Sequence, residues 1–130
     1  MMSEFDNNQP IYQQIVEQIR LSIAKGELSP GAKVASVRDM ALRFRVNPNT
    51  MQKSLAKLED MGYLHSERTS GRFVTDDLAL IETLKAEIPS KITGKYVSDM
   101  TEFGIAAGDI PNFVRTYIER GGPYGQRTGN

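Results

Sequence analysis

The stretch from Ser36 to Met61 constrains the fold more than any other part of this chain, because it reads as two short helices joined by a tight turn. Ser36 followed three positions later by Asp39 resembles a capping box. Its hydroxyl can accept from an orphan amide, and the carboxylate lies near the positive helix end. Met40, Ala41 and Phe44 then supply one apolar face. A second start follows at Asn47-Pro48, since asparagine is a favoured N-cap and proline at the first helical position forfeits no hydrogen bond. Met51, Leu55, Leu58 and Met61 recur at helical spacing, and Gly62 can close the helix in a left-handed conformation. The opposite face carries Asn49, Gln52, Lys53 and Lys57, which have no apolar reason to be buried. A short helix packed across a longer one, with amides and hydroxyls in the longer helix's first turn, is the layout of a helix-turn-helix reading the major groove. Such a chain is expected to bind rather than catalyse.

The flanks complete a module. Pro10 precedes a helix with Ile11, Ile15, Ile19 and Ile23 every four residues, widened by Tyr12 and Val16, ended by Gly26 and followed by a Ser29-Pro30-Gly31 turn. Beyond Gly62, Tyr63-Leu64-His65 and Arg72-Phe73-Val74 are β-prone segments around Arg68-Thr69-Ser70-Gly71. Three helices and a hairpin describe a winged helix. The expected fold class is therefore mainly α with a small β-hairpin: an N-terminal winged helix-turn-helix followed by a short helical C-terminal dimerisation segment.

After Val74 the character changes. Thr75-Asp76-Asp77 is a polar junction, so residues 1–76 are read as the DNA-binding domain and 77–120 as the dimerisation region. Ile81, Leu84 and Ile88 are helically spaced, Pro89 is expected to interrupt or restart the helix, and Ile92, Tyr96, Met100 and Phe103 continue the stripe to Gly104. Asp109 introduces a last helix with Phe113, Val114, Tyr117 and Ile118. Helices this short cannot enclose a core alone, so these stripes pack on the winged helix, on a second copy, or on both. Because helix-turn-helix proteins commonly read two half-sites about a two-fold axis, a homodimer is expected, with Ile81, Leu84, Ile88, Ile92, Tyr96, Met100, Phe103, Phe113 and Tyr117 as interface candidates. Residues 121–130 read as a disordered tail.

Composition narrows the function classes. The 130 residues contain no cysteine and one histidine, which excludes thiolate metal sites, disulfides and a Cys-His nucleophile. No metal and no cofactor are expected. No apolar run approaches the ~18 residues of a membrane span. The first residues, with Glu4 and Asp6, lack the form of a signal peptide, so a cytoplasmic protein without membrane association is expected. Net charge is zero, but its distribution is uneven. From Lys33 to Val74 there are eight cations (Lys33, Arg38, Arg43, Arg45, Lys53, Lys57, Arg68, Arg72) against four anions (Asp39, Glu59, Asp60, Glu67). That local excess is what attracts phosphate.

Taken in order, Pro10-Ile11-Tyr12-Gln13-Gln14-Ile15, Gly26-Glu27-Leu28-Ser29-Pro30-Gly31, Ser36-Val37-Arg38-Asp39-Met40-Ala41, Val46-Asn47-Pro48-Asn49-Thr50, Leu58-Glu59-Asp60-Met61-Gly62 and Gly71-Arg72-Phe73-Val74 resemble the GntR family of bacterial transcription regulators. The resemblance runs from about Gln9 to Val74, and the Asn47-Pro48-Asn49-Thr50 motif with the short C-terminal part is similar to the YtrA-like branch. Three positions depart from the family pattern. Ala35 stands where proline is usual, Arg45 where the turn usually has glycine, and Thr69-Ser70-Gly71-Arg72 keeps only the second glycine of a Gly-x-Gly-Thr wing. A positive φ at Arg45 would be strained, and would place a cation near phosphate. The resemblance implies a DNA-contacting arginine at Arg38. It also implies a repressor of an inverted-repeat operator, control of transporter genes, and no room for a large effector-binding domain; no effector can be named.

Candidate contacts follow from side-chain chemistry. Asn49, Thr50 and Gln52 are the base readers, since amides read adenine bidentately and hydroxyls hold phosphate, with Lys53 at the flank. Arg38, Arg43, Arg45, Arg68 and Arg72 are phosphate or minor-groove candidates, joined by Lys33, Ser36, Asn47, Pro48, Ser70 and Gly71. Each has a plainer alternative. Ser36 and Asn47 cap helices, Arg68 and Arg72 can stabilise the hairpin, and Lys57 is a solvated charge. His65 lacks a partner cluster and reads as an ordinary strand residue, while Tyr12, Tyr96 and Tyr117 belong to core or interface. Two function classes stand: a homodimeric regulator bound to a double-stranded DNA operator, and a winged-helix module that binds protein without reading DNA sequence. Exposed apolar anchors on the third helix would favour the second.

Overall fold

The computed structural model describes residues 5–121. Its order is α1 (Ile11–Ala24), α2 (Val37–Phe44), α3 (Pro48–Asp60), β1 (Leu64–Glu67), β2 (Gly71–Val74), α4 (Leu78–Phe103), a 3-10 turn (Ala107–Asp109) and α5 (Ile110–Glu119). The fold is mainly helical with one two-stranded antiparallel hairpin, paired Leu64↔Val74 through Glu67↔Gly71. The expected tail falls on residues outside those described, apart from Gly121.

The helix ends form as their chemistry dictates. The Ser36 hydroxyl accepts from the Asp39 amide at 3.1 Å, and the Asn47 side chain accepts from the Asn49 amide at 2.7 Å. Pro48 occupies the first turn of α3, and Gly62 beyond its end has φ +88°. The turn between α2 and α3 opens on Arg45, the C-cap of α2, at φ 59°, ψ 47°; among the described residues it is the one non-glycine with positive φ. A left-handed L-residue costs roughly 1–2 kcal/mol, so this turn is strained where glycine would not be.

The chain divides into two compact units, Met1–Ile88 and Pro89–Asn130. In the first, Ile15, Ile19 and Ile23 of α1 meet Met40 and Phe44 of α2, Met51, Leu55 and Leu58 of α3, and Leu64 and Val74 of the hairpin. The segment before α2 also joins the hairpin. The Val34 amide donates to the Arg72 carbonyl at 2.8 Å, and the Val74 amide to the Ala32 carbonyl at 2.9 Å. That third edge carried no sequence signal, because residues 31–34 are too few to show alternation.

Three expectations change here. Ile81 and Leu84, 5% and 0% exposed, belong to the chain's own core, and Ile88 packs against it. They are therefore spent within one chain rather than offered to a second copy. For the same reason the first unit closes at Ile88 and not at residue 76. Helix α4 also runs through Pro89 unbroken. Its ring removes one donor on an exposed face, a loss the surrounding turns sustain.

Polar groups reinforce the first unit. Arg20, only 5% exposed, donates from Nη1 to Glu17 and from Nη2 to Glu87, each at 2.8 Å, and to the Tyr63 hydroxyl at 3.3 Å. Its guanidinium also lies over the Tyr63 ring. Burial opposes the charge, but the bonds to Glu87, Tyr63 and Glu17 outweigh it and raise the pKa above arginine's ordinary value. This cluster went unread in the sequence, where Arg20 and Glu87 lie far apart. In the second unit, α5 begins directly after Asp109, whose side chain makes no capping bond.

Candidate nucleic-acid interface

Asn47 and Pro48 fix the first turn of α3, and Met51, Leu55 and Leu58 pin its inner side to the core. Asn49, Gln52 and Lys53 are consequently exposed, with Thr50 half-buried. No large apolar side chain is exposed on α3, whose outer face is amide, hydroxyl and ammonium. On α2, Arg38 and Arg43 are exposed, and Arg45 projects from the strained turn between the two helices.

The hairpin and the start of α2 enclose an open groove of about 990 Å³. Lys33, Ser36, Arg43, Arg68, Ser70 and Gly71 line it, together with Arg72. Gly71 is favoured there by its backbone, and the Lys33 side chain lies close over it. Its φ is +111°, and an added Cβ would stand 3.1 Å from Lys33 Cε. Arg38, Arg45 and the first turn of α3 do not line this groove, so the candidates form two groups, one around the wing and one around the helix pair.

Charge pairing separates the cations more sharply than exposure does. Lys25, Lys85 and Lys95 sit within 3.3 Å of a carboxylate, and Arg20 within 2.8 Å. By contrast, among the described residues Lys33, Arg38, Arg43, Arg45, Lys53, Lys57 and Arg68 have no carboxylate within 4.0 Å. These seven all lie between residues 33 and 68; in the second unit Arg115 and Arg120 likewise have no carboxylate within 4.0 Å among the described residues. Unneutralised charge of one sign on a surface costs self-repulsion that a bound polyanion relieves.

Arg72 is the exception among the sequence candidates. Its Nε donates to Glu59, which also accepts from the Ser66 hydroxyl at 2.8 Å, so Arg72 ties β2 to α3. Burial works to raise the Glu59 pKa, but the bonds from Arg72 and Ser66 prevail and hold it below the ordinary carboxylate range. His65 does have neighbours. It stacks on Phe73 at 5.9 Å, and its Nε2 lies 3.3 Å from Glu67, two residues along the same strand face. The two-residue spacing of His65 and Glu67 in the sequence is the signal of this pairing, since alternate strand residues share a face. Lys53 has a neighbour of another kind: its Nζ stands 4.0 Å from the centroid of the Tyr12 ring.

Among the described residues, no group of three or more acidic or histidine side chains could hold a metal ion, and no helix is long and apolar enough to cross a membrane.

Comparison with known proteins converges on one group. The sequence profile described as bacterial regulatory proteins, gntR family, matches residues 11–74. An uncharacterized HTH-type transcriptional regulator, YhcF of Bacillus subtilis, is 32% identical over 121 residues, covering 93% of this chain and all of that protein. The HTH-type transcriptional repressor YtrA of the same organism is 37% identical over 68 residues, 52% of either chain. Among solved structures, a GntR family transcriptional regulator from Listeria monocytogenes superposes with TM-score 0.78 at 36% identity, covering 86% of this chain and 98% of the other. The DNA-binding domain of AraR, in complex with operator ORX1, does so with TM-score 0.52 at 26% identity, over 58% of this chain and 95% of the other.

Proposed function

The chain belongs to the GntR family of bacterial regulatory proteins, DNA-binding transcription regulators rather than enzymes, and from that premise we propose that it is a homodimeric repressor of an inverted-repeat operator. The observation that carries the reading is the set of seven cations between residues 33 and 68 with no carboxylate partner, spread over the wing and the helix pair, beside an α3 face that carries amide and hydroxyl groups. A protein-binding winged helix would instead display apolar anchors on α3, and none is exposed there.

In this reading α3 enters the major groove. Asn49, Thr50 and Gln52 meet base edges, and Arg38, Arg43 and Arg45 meet phosphates. Lys33, Ser36, Arg68, Ser70 and Gly71 receive the backbone or minor groove at the wing. Asn47 and Pro48 set the helix start, and Arg72 holds the wing against α3. The repressor assignment follows the naming of YtrA, and control of transporter genes follows the YtrA-like resemblance. The dimer uses the apolar side chains of the second unit: Ile92, Tyr96, Met100, Phe103, Phe113 and Tyr117. Its place of action is the cytoplasm, where the operator is.

Selection of duplexes from a randomised pool by the wild-type chain tests this directly. The enriched sequences should contain two related half-sites about a dyad. Asn49→Ala and Gln52→Ala should each lose roughly 1–3 kcal/mol at one preferred base and discriminate less there. Enrichment of no sequence would overturn the sequence-specific reading and leave the protein-binding one.

A further inference from the structure

The Lys53 ammonium has no carboxylate partner and stands over a tyrosine from another helix. Lysine is a point charge on a four-carbon stem and ordinarily sweeps a wide volume, so it loses much rotamer entropy when it engages a phosphate. Here the stem is already directed. Tyr12, in the first turn of α1, presents its ring 4.0 Å from Nζ, well inside cation–π range. The Tyr12 backbone, from which the ring projects, is tied to α3 by the residue after Lys53. Ser54 is fully buried, and its hydroxyl is shared between the Tyr12 carbonyl at 3.1 Å and the Thr50 carbonyl at 2.9 Å. Successive α-helical residues are turned by about 100°, so Lys53 points to the α1 side of α3 and away from the azimuth of Gln52.

Resting on the DNA-binding reading above, we propose that Tyr12 is a positioning residue for DNA binding. It preorganises Lys53 to grip a backbone phosphate at the flank of the groove, and keeps that charge away from the base edges. The ring acts through the lysine; its hydroxyl, which accepts from Gln13 Nε2 at 3.3 Å, is not the contact.

The test uses the full chain with two probes: sheared double-stranded DNA of mixed sequence, and the duplex enriched by wild type. Tyr12→Phe keeps the ring and should bind both probes as wild type does. Tyr12→Leu keeps apolar volume without a π face, and should weaken binding to both about 2- to 10-fold, the cost of ordering one long side chain on binding expressed as affinity. Lys53→Ala should weaken both probes alike and flatten the log–log salt slope by about one unit. The double variant Tyr12→Leu/Lys53→Ala should bind no worse than Lys53→Ala alone. In the free protein, the Lys53 side-chain methylene protons should show ring-current shifts that survive Tyr12→Phe and vanish in Tyr12→Leu, which checks the geometry apart from folding stability. Additive losses would overturn the proposal, as would a Tyr12→Phe variant as weak as Tyr12→Leu, since the hydroxyl would then be the contact. If wild type binds neither probe, the DNA-binding reading falls as well; if it binds both and only the tyrosine variants fail to behave as stated, this inference alone falls.

Discussion

Helix α4 carries apolar residues at helical spacing along its whole length, yet its two halves meet different fates. Before Pro89, Ile81 and Leu84 are 5% and 0% exposed, part of the first unit's hydrophobic core. After it, Ile92 is 66% and Phe103 84% exposed, and among the described residues of the second unit Ile110 is the one buried apolar side chain. The units differ in the same way. Residues up to Ile88 form a filled core with capped helix starts and a paired buried arginine. Residues from Pro89 present Phe113, Val114, Tyr117 and Ile118 of α5 to the surface. Periodicity tells which face of a helix is apolar, but not what covers it. One half of α4 finds its cover within the chain, and in the reading proposed above the other finds it in a second copy.

The largest contrast should come from matched truncations on that one helix. Leu84→Ala should cost about 2–5 kcal/mol of unfolding free energy, the lost transfer term plus a cavity. Ile92→Ala, measured by the same denaturant titration at a concentration low enough for monomer, should fall within about 0.5 kcal/mol of wild type. Equal losses would erase the distinction between the halves. The double variant Ile92→Asp/Phe113→Asp should instead move sedimentation equilibrium toward monomer and weaken binding to an inverted repeat, with monomer stability retained.

Next in size is Arg20→Leu. It removes the bonds to Glu17, Glu87 and the Tyr63 hydroxyl, and should lower stability by about 1–3 kcal/mol, less than a fully buried pair because Glu17 and Glu87 keep 57% and 35% side-chain exposure. A loss confined to the first unit, seen as faster amide exchange in α1 and the first half of α4, would sharpen the comparison. A neutral result would mean the pair adds nothing beyond packing.

Arg45→Gly should act in opposite directions on fold and binding. Relief of the left-handed strain should raise stability by about 0.5–1 kcal/mol, while loss of the cation should reduce the salt slope of DNA binding by about one unit. A gain in stability with an unchanged slope would remove Arg45 from the interface.

The smallest effect concerns acid. The folded Glu59 carboxyl titrates below its unfolded value. The Arg72–Glu59 pair therefore contributes its stabilisation above the unfolded pKa and loses it as pH falls through the folded one. Glu59→Gln should flatten the acid limb of stability below about pH 5, leaving the limb above pH 6 parallel to wild type. An unaltered acid limb would show that the pair is as strong in the unfolded chain.

Much of the first unit was legible residue by residue. Local rules act over three or four positions, so Ser36, Asn47, Pro48 and Gly62 announced their helix ends, and the 3.6-residue recurrence of Met51, Leu55 and Leu58 settled which side of α3 faces in and which side carries Asn49, Gln52 and Lys53. Arg45 was legible only through the family resemblance, which puts glycine at that turn and so made a strained positive φ the thing to look for. Other features depend on which distant segments meet. Arg20 with Glu87, Lys53 over Tyr12 and the pairing of Val34 with Arg72 join residues whose separation in the chain leaves no periodic trace. Arg72 shows the limit from the other side. Its sequence neighbours left it either a phosphate contact or a prop for the hairpin, and the fold brings Glu59 to it. The division of α4 was decided in the same way. A stripe of isoleucine and leucine at helical spacing fixes an apolar face, because side-chain direction follows from helix geometry alone. Whether that face is consumed at Leu84 or left bare at Phe103 depends on how far the remaining elements reach along the helix, and only tertiary packing sets that reach.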